Sequence, residues 1–146
     1  MKKRSIERFI EAQEGVYERA LLELKAGCKR THWMWYIFPQ LEILGQSIKA
    51  KFYGISSENE GKEYCENELL YGRYIECCKA LEGLTESNPV RIMGDIDALK
   101  LCSSLTLFYM IDEKGRELYK KLLDKFYGGK LDALTVDFIE RGRNGK

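Results

Sequence analysis

Apolar residues recur at helical spacing along almost the whole chain. Residues 6–13 place their apolar side chains on one face of a first predicted helix, which Ser5 can cap. The same face resumes over residues 16–24, and Gly27 is placed to end that second stretch. One long kinked helix and two abutting helices both fit this region. Because glycine costs about 1 kcal/mol in a helix interior, we favour two helices, divided at Gly15.

The next segment, KRTHWMWYIFPQ at residues 29–40, also fits a helix. Thr31 is a candidate N-cap, and Pro39 would end the helix near Phe38, because proline disfavours helical geometry at the residue before it. The run WMWYIF equally fits a buried strand. No second strand of similar quality exists to pair with it, so we predict a short helix.

Capping residues mark where the later helices begin. Ser57 with Glu60 has the spacing of a capping box, and Asn88 precedes Pro89 at a first helical position. The remaining predicted helices are residues 48–53 after Ser47, 57–66, 67–83, 90–93, one capped by Asp95 or Asp97, 117–127, and a last one capped by Asp132, before a tail, RGRNGK, that we expect to fray.

Two of these helices are predicted to supply much of the core. Residues 67–83 carry one apolar stripe, and the run LKLCSSLTLF (residues 99–108) is apolar nearly all round after Lys100, which is typical of a central helix. The apolar residues expected on the inner faces from residue 67 onward are Leu70, Tyr74, Cys77, Cys78, Leu81, Leu99, Leu101, Cys102, Leu105, Leu107, Phe108, Met110, Leu118, Leu122, Leu123, Phe126, Leu134, Val136 and Ile139.

Length and composition set the fold class. A chain of 146 residues fits one domain, and it has neither a long Gly/Ser linker nor a repeat at solenoid spacing. We therefore predict an all-α fold: a single compact domain over residues 1–146, with about seven to nine helices, several of them short, and no significant sheet.

The charge balance limits the classes of partner. With 24 basic and 23 acidic residues the net charge is +1, so the chain has no global field for attracting nucleic acid, and we predict no sequence-specific nucleic-acid binding. No run of eighteen apolar residues and no signal-peptide pattern occur. We expect a cytoplasmic protein without a membrane partner, and the sequence leaves its oligomeric state open.

The cysteines do not form a metal-binding pattern. The chain has five of them, an odd number without a C-x-x-C pair, and a single histidine, which together disfavour a structural zinc site. Glycine-rich phosphate-binding motifs and calcium loops are also absent from the sequence. We predict no metal site, no cofactor, and reduced thiols that are mostly buried.

His32 is the candidate catalytic residue, because any imidazole acid–base role falls to the only histidine. Lys29 and Arg30 beside it favour a neutral, hydrogen-bonding ring and could meet an anion. The alternative is a structural histidine that holds a backbone carbonyl. A thiolate–imidazolium pair with Cys28 would need one helix across both residues, which Gly27 disfavours.

Two tryptophans in the same segment could stack on a planar ligand. Trp33 and Trp35 lie on different faces of the predicted helix, so a single neighbouring element cannot bury both. The alternative is that they belong to the hydrophobic core. Gln40 follows them, with an amide that could contact a ligand or cap a chain end.

A second polar set lies within the central helix. Lys100 and Ser103 or Ser104 share a face, so an ammonium and a hydroxyl could bind one anion. Two alternatives remain open: a Ser–Lys nucleophile pair, and hydroxyls that bond back to the preceding helical turn.

Several strings carry a resemblance to a known family. They are RFIEAQ, LELKAG, THWMWYIFPQL, LGQS, LKLCSSLTLF and FYGGKLDALT, in this order along essentially the whole chain. Together they resemble the domain-of-unknown-function 1810 family, small and mainly bacterial proteins, and the resemblance implies an all-α fold without naming a reaction, cofactor or partner. The chain departs from the family pattern at Cys102, often arginine, and at Cys28, commonly basic, which would weaken an anion site unless Lys29 and Arg30 supply the charge.

These observations lead to two functional hypotheses. In the first, residues 29–40 and 99–104 form a pocket for a small anionic, ring-bearing ligand such as a nucleotide. In the second, exposed aromatic side chains form a protein-interaction surface without ligand chemistry. The sequence leaves open whether the protein is an enzyme, and which ligand it binds.

Overall fold

Ten α-helices and a single 3₁₀ turn make up the secondary structure of residues 5–145, the part of the chain that the computed structural model describes. The predicted all-α class is confirmed, and the one β-pairing within these residues is an isolated parallel bridge between Leu41 and Ile55. The helices are α1 Glu7–Gln13, α2 Tyr17–Ala26, α3 Met34–Ile37, α4 Ile48–Phe52, α5 Glu58–Glu66, α6 Glu68–Glu82, α7 Pro89–Met93, α8 Asp95–Ile111, α9 Arg116–Tyr127 and α10 Ala133–Asn144, and the 3₁₀ turn is Glu42–Leu44.

Glycine divides the N-terminal region as predicted. The chain turns between α1 and α2 at Gly15, whose φ is +72°, and α2 ends at Gly27, whose φ is +70°. Both values lie in the left-handed region that glycine adopts without a steric penalty. The predicted cap is wrong: α1 begins at Glu7 with Ile6 in the cap position, and the Ser5 hydroxyl, one residue earlier, accepts a hydrogen bond from the Glu7 amide at 3.3 Å.

Four of the predicted N-caps are confirmed. The side chains of Ser47, Ser57, Asn88 and Asp132 each accept a hydrogen bond from a backbone amide in the first turn of α4, α5, α7 and α10. These bonds satisfy amides that have no partner within the helix.

Two other predicted caps are wrong. Helix α3 begins only at Met34, because the Thr31 hydroxyl is engaged by Glu23 instead. Helix α8 begins after Gly94, with φ +88°, and so Asp95 lies within its first turn.

Helix α8 lies at the centre, as predicted, and packs against α5, α7, α9 and α10. Its Phe108 ring meets Tyr74 of α6 with centroids 4.4 Å apart, and the whole predicted stripe of α6 is buried. The expectation for Leu99 and Leu134 is wrong: both are mostly exposed, because their faces of α8 and α10 are not covered by another element among residues 5–145.

The C-terminal helix is longer than expected. Residues 141–144 are helical instead of frayed, because the Arg143 guanidinium pairs with Glu58 of α5 and donates to the Met110 carbonyl. Lys146 lies outside the described residues. Within residues 5–145, no helix combines the length and apolar character that crossing a bilayer requires.

Candidate functional site

One buried carboxylate, that of Glu23, organises the loop between α2 and α3. Its Oε1 accepts hydrogen bonds from the backbone amides of Arg30 and Thr31, at 2.9 and 3.1 Å, and from the Trp33 indole at 2.9 Å. Its Oε2 accepts from the Thr31 hydroxyl at 2.7 Å. The conformation of residues 28–33 therefore depends on a single side chain of α2.

Glu23 carries its charge within the fold. Burial by itself would raise its pKa, but the hydrogen bonds from the Arg30 amide, the Thr31 side chain and the Trp33 indole outweigh burial and lower the pKa to about 2. Sequence reasoning missed this residue. The available signal was an acidic side chain three residues after Ala20, on the buried face of an amphipathic helix.

Lys29 joins the same loop to α8. Its Nζ lies 2.9 Å from an Asp97 carboxylate oxygen, donates to the Thr31 carbonyl at 2.7 Å, and lies 4.9 Å from the centroid of the Trp33 ring. The start of the first predicted segment is thus tied to the first turn of α8, just before the second segment, residues 99–104. Since the Lys29 ammonium already has a carboxylate partner, it holds the loop in place.

The two tryptophans lie in different environments. Trp33 is fully buried in the core beside Phe38, whereas Trp35 is half-buried. Two ammonium groups lie near the Trp35 ring, with Lys49 Nζ at 5.0 Å and Lys100 Nζ at 5.7 Å from its centroid. We call this set, Trp35, Lys49 and Lys100, the Trp35 clamp.

The two ammonium groups of the Trp35 clamp have no ion-pair partner among the described residues. None of the ion pairs within residues 5–145 includes Lys49 or Lys100. Lys49 was not among the predicted site residues, because its approach to Trp35 depends on how α4 folds back, which no local pattern indicates.

Lys100 also lines an open groove of about 620 Å³, which we call the α8 groove. One wall is the N-terminal half of α8, a second is residues 130–134, and a third comes from residues 40–46. Three predicted site residues, Gln40, Lys100 and Ser103, line this groove together. Residues of both segments therefore line one groove at Lys100, whereas His32, Trp33 and Trp35 do not line it.

The hydroxyls of α8 have structural partners. Ser103 donates back to the Leu99 carbonyl at 3.3 Å, and Ser104 is fully buried with its Oγ 2.8 Å from the Tyr74 hydroxyl. Among the described residues, no hydrogen bond joins Lys100 to either serine. This arrangement matches the back-bonding alternative and does not assemble a Ser–Lys nucleophile pair.

His32 and Arg30 are exposed on the loop, and they line neither the α8 groove nor the cleft between the α1–α2 junction and α6. The His32 carbonyl accepts a hydrogen bond from the Tyr36 hydroxyl at 3.4 Å. Cys28 is exposed, and no hydrogen bond in the described part of the chain joins it to His32. A catalytic role for His32 stays a prediction.

Cys102 lies half-buried in the α8 groove. Burial raises the pKa of its thiol, so the thiol is neutral at physiological pH, and its Sγ lies 3.7 Å from the Lys130 carbonyl. The basic charge of the groove therefore comes from Lys100 and Lys130. Within residues 5–145, no cluster of His, Cys, Asp or Glu has a geometry that could hold a metal ion.

A larger cleft, of about 660 Å³, lies between the α1–α2 junction and α6. It is lined by carboxylates together with Arg73. The Arg73 guanidinium donates to the Gln13 amide oxygen at 3.2 Å, and its Cζ lies 4.7 Å from the centroid of the Tyr17 ring. The acidic side chains of its lining are Glu14, Glu18, Glu68 and Glu76. This excess of negative charge makes the cleft unsuited to an anion.

Comparison with known proteins agrees with the fold. The sequence profile described as "Protein of unknown function (DUF1810)" matches residues 3–139. The chain belongs to the DUF1810 family. This DUF1810 protein is similar to a crystal structure at 1.38 Å of the conserved hypothetical protein Rv1873 from Mycobacterium tuberculosis, with 42% identity and a TM-score of 0.89, over 92% of this chain and 96% of that one. No curated protein matches the chain.

The resemblance in the sequence is thereby confirmed, and the two strings that characterise the DUF1810 chain are neighbours in the fold. Lys29 and Asp97, which lie just before HWMW and LKLCSS in the chain, pair on one side, and Trp35 of HWMW meets Lys100 of LKLCSS on the other. The first contact is a structural ion pair. The second places an ammonium group, which has no ion-pair partner among residues 5–145, beside a half-buried ring.

Proposed function

We propose that this protein binds a small anionic ligand that carries a planar ring. The ligand would lie at the Trp35 clamp and at the adjoining polar end of the α8 groove, which Gln40, Lys100 and Ser103 line. The observation that carries the proposal is the approach of two ammonium groups, Lys49 and Lys100, to one half-buried indole. Neither ammonium has a carboxylate partner among the described residues.

The energetics favour an anion at this place. A cation–π contact at an exposed site contributes about 0.5–1 kcal/mol, whereas a hydrogen bond to a charged group contributes about 1.5–3 kcal/mol. An anion would therefore replace weak contacts of Lys49 and Lys100 by stronger ones. A planar ring in the same ligand would stack on Trp35, as bases do on aromatic side chains.

Nearby polar groups could orient such a ligand. The Gln40 amide and the Ser103 hydroxyl line the groove on the side of Lys100, and they can donate or accept hydrogen bonds. Trp33 and Ser104 are buried with partners inside the fold, and Lys29 is paired with Asp97. We therefore assign no ligand contact to these three residues.

Tryptophan fluorescence tests the proposal directly. The panel consists of nucleoside mono- and diphosphates, sugar phosphates and inorganic phosphate. We expect saturable quenching by a ring-bearing phosphate, and we expect Trp35→Phe to abolish the signal, since Trp33 is sealed in the core. Lys49→Gln and Lys100→Gln should each weaken binding roughly tenfold, the equivalent of about 1.4 kcal/mol.

Lys79→Gln is the matched control, because Lys79 is exposed on α6 and does not line the groove. It should bind as the unmodified protein does. Calorimetry on the same panel detects binding that leaves the fluorescence unchanged. Absence of both signals across the panel would reject the proposal, and equal affinity for inorganic phosphate and nucleotides would reject the stacking role of Trp35.

A further inference from the structure

We infer that the apolar part of the α8 groove is a docking surface for an amphipathic helix of a partner protein, with aliphatic residues on its inner face and carboxylates along its flanks. This inference goes beyond the proposed ligand. Its anchors are Ile96, Leu99, Leu131 and Leu134, which the ligand proposal does not use, and the two proposals share Lys100 and Ser103.

The first observation is the exposure of four large aliphatic side chains that line the same groove. Ile96, Leu99 and Leu134 are 70%, 73% and 64% exposed, and Leu131 is 39% exposed. Single exposed aliphatic residues are ordinary on protein surfaces, but a set that lines one groove is typical of an interaction site. A ligand confined to the Trp35 clamp would leave all four in water.

The second observation is the helical geometry of the groove. Ile96, Leu99, Lys100 and Ser103 have the spacing i, i+3, i+4 and i+7, so they follow one face of α8. At 1.5 Å per residue this face is about 10 Å long, which matches about two turns of a partner helix. Residues 130–134 form the second wall and touch α8 at the floor of the groove, where the Cys102 Sγ lies 3.7 Å from the Lys130 carbonyl, so a partner helix would lie along the open top of the groove.

An extended peptide fits this surface less well. Adding a strand requires an open sheet edge with unpaired backbone groups. The described residues contain only the isolated Leu41–Ile55 bridge, and residues 96–103 already lie inside a helix. Side-chain anchors on a helix are therefore the mode of recognition that the groove offers.

The third observation is the charge of the groove, which selects the flanks of the partner. Lys100 and Lys130 line it, and neither takes part in an ion pair among the described residues. Among the described residues Asp132 is the one acidic side chain that lines the groove, and its carboxylate accepts hydrogen bonds from the Thr135 amide and hydroxyl at 3.0 and 2.6 Å. Carboxylates on the partner would thus meet uncompensated ammonium groups.

The experiment uses the full chain labelled with ¹⁵N and a designed peptide of about 18 residues, held helical by a staple on its outer face. Its inner face carries leucines and its flanks carry glutamates, and a matched peptide carries lysines instead of the glutamates. We expect saturable shifts of amide resonances at residues 96–103 and 130–134 with the glutamate peptide. The lysine peptide should bind at least tenfold more weakly.

Charged substitutions then locate the surface. The double variant with Leu99→Glu and Leu134→Glu should weaken peptide binding at least tenfold while its circular dichroism stays unchanged, because both side chains are exposed. Leu22→Glu, an equally exposed position on α2 outside the groove, should bind normally. Trp35→Phe should also bind the peptide normally, so failure of the ligand proposal is distinguishable from failure of this one.

Three results would overturn the inference. The first is an absence of saturable shifts up to millimolar peptide, and the second is equal binding of the two peptides. The third is self-association of the unmodified chain in sedimentation that the double variant abolishes, since a second copy would then cover the groove.

Discussion

The indole of Trp33 donates a hydrogen bond of 2.9 Å to Glu23, a carboxylate ten residues earlier in the chain. The acceptor belongs to α2 and the donor immediately precedes α3. Because Arg30 and Thr31 use the same carboxylate, four donors from one loop converge on two oxygen atoms. The loop that leads to Trp35 is thus anchored by a buried charge.

Glu23→Gln should destabilise the fold by about 2–3 kcal/mol. The amide that replaces one oxygen is a donor and would face other donors, and the remaining hydrogen bonds lose their charge. Urea denaturation followed by far-ultraviolet circular dichroism measures the change. Glu18→Gln, an exposed position in the first turn of the same helix, should change stability by no more than about 0.5 kcal/mol.

The stability difference between the native protein and Glu23→Gln should depend on pH. The pKa of Glu23 falls from an ordinary 4.5 to about 2 on folding, so the native state favours the ionised form. The extra stability is fully present above pH 5 and is lost as the pH falls from there towards 2. A difference that stays constant over this range would contradict the assignment of a buried, ionised Glu23.

Arg8→Lys should destabilise the fold by about 2–3 kcal/mol. The buried guanidinium donates to the carbonyls of Ser5, Phe52 and Gly54 and to the Glu60 carboxylate, and one ammonium cannot reach all of these acceptors. Thermal and urea unfolding measure the loss. Arg19→Lys, at an exposed position of α2, is the matched control and should leave the midpoint unchanged.

Gly54→Ala should destabilise the fold by about 1–3 kcal/mol, because an added Cβ would lie 2.3 Å from the Cα of Glu42, a backbone atom that cannot move aside cheaply. Gly72→Ala should instead stabilise by up to about 1 kcal/mol, since no heavy atom lies within 4 Å of its added Cβ and the site is inside α6. Denaturation midpoints that move in the same direction for both variants would contradict this account.

Lys29 and Asp97 should show a coupling energy of about 1–3 kcal/mol in a double-mutant cycle with Lys29→Met and Asp97→Asn. Their side chains are only 7% and 19% exposed, so water and salt screen the pair weakly. The Lys120–Asp124 pair on α9 is well exposed, and its cycle serves as the comparison. Coupling at Lys29 no larger than at Lys120 would show that the loop is held without this ion pair.

The helices were largely predictable because their determinants are local. The helical spacing of apolar residues predicted α6. The side-chain caps at Ser47, Ser57, Asn88 and Asp132 predicted the starts of four other helices. Such signals depend on residues within one or two turns of each other. The folded chain therefore has most of these helices where the local signals predict them.

The site was predictable only in part, because its remaining determinants are tertiary. Glu23 finds its partners beyond the end of its own helix, and Lys49 reaches Trp35 only because α4 folds back. Leu99 and Leu134 are exposed for a related reason, since burial also depends on tertiary packing. Apolar character identifies a face that can be buried, but not whether another element of the chain covers it.

The bridge between Leu41 and Ile55 has a consequence for how this protein can vary. Two hydrogen bonds, from the Glu42 amide to Ile55 and from the Ile55 amide to Gln40, close residues 41–55 at their base. The segment between these two hydrogen bonds contains α4 and therefore Lys49. We expect insertions and deletions around residues 46–51 to change which ligand binds beside the Trp35 indole, while the fold of the rest of the chain stays the same.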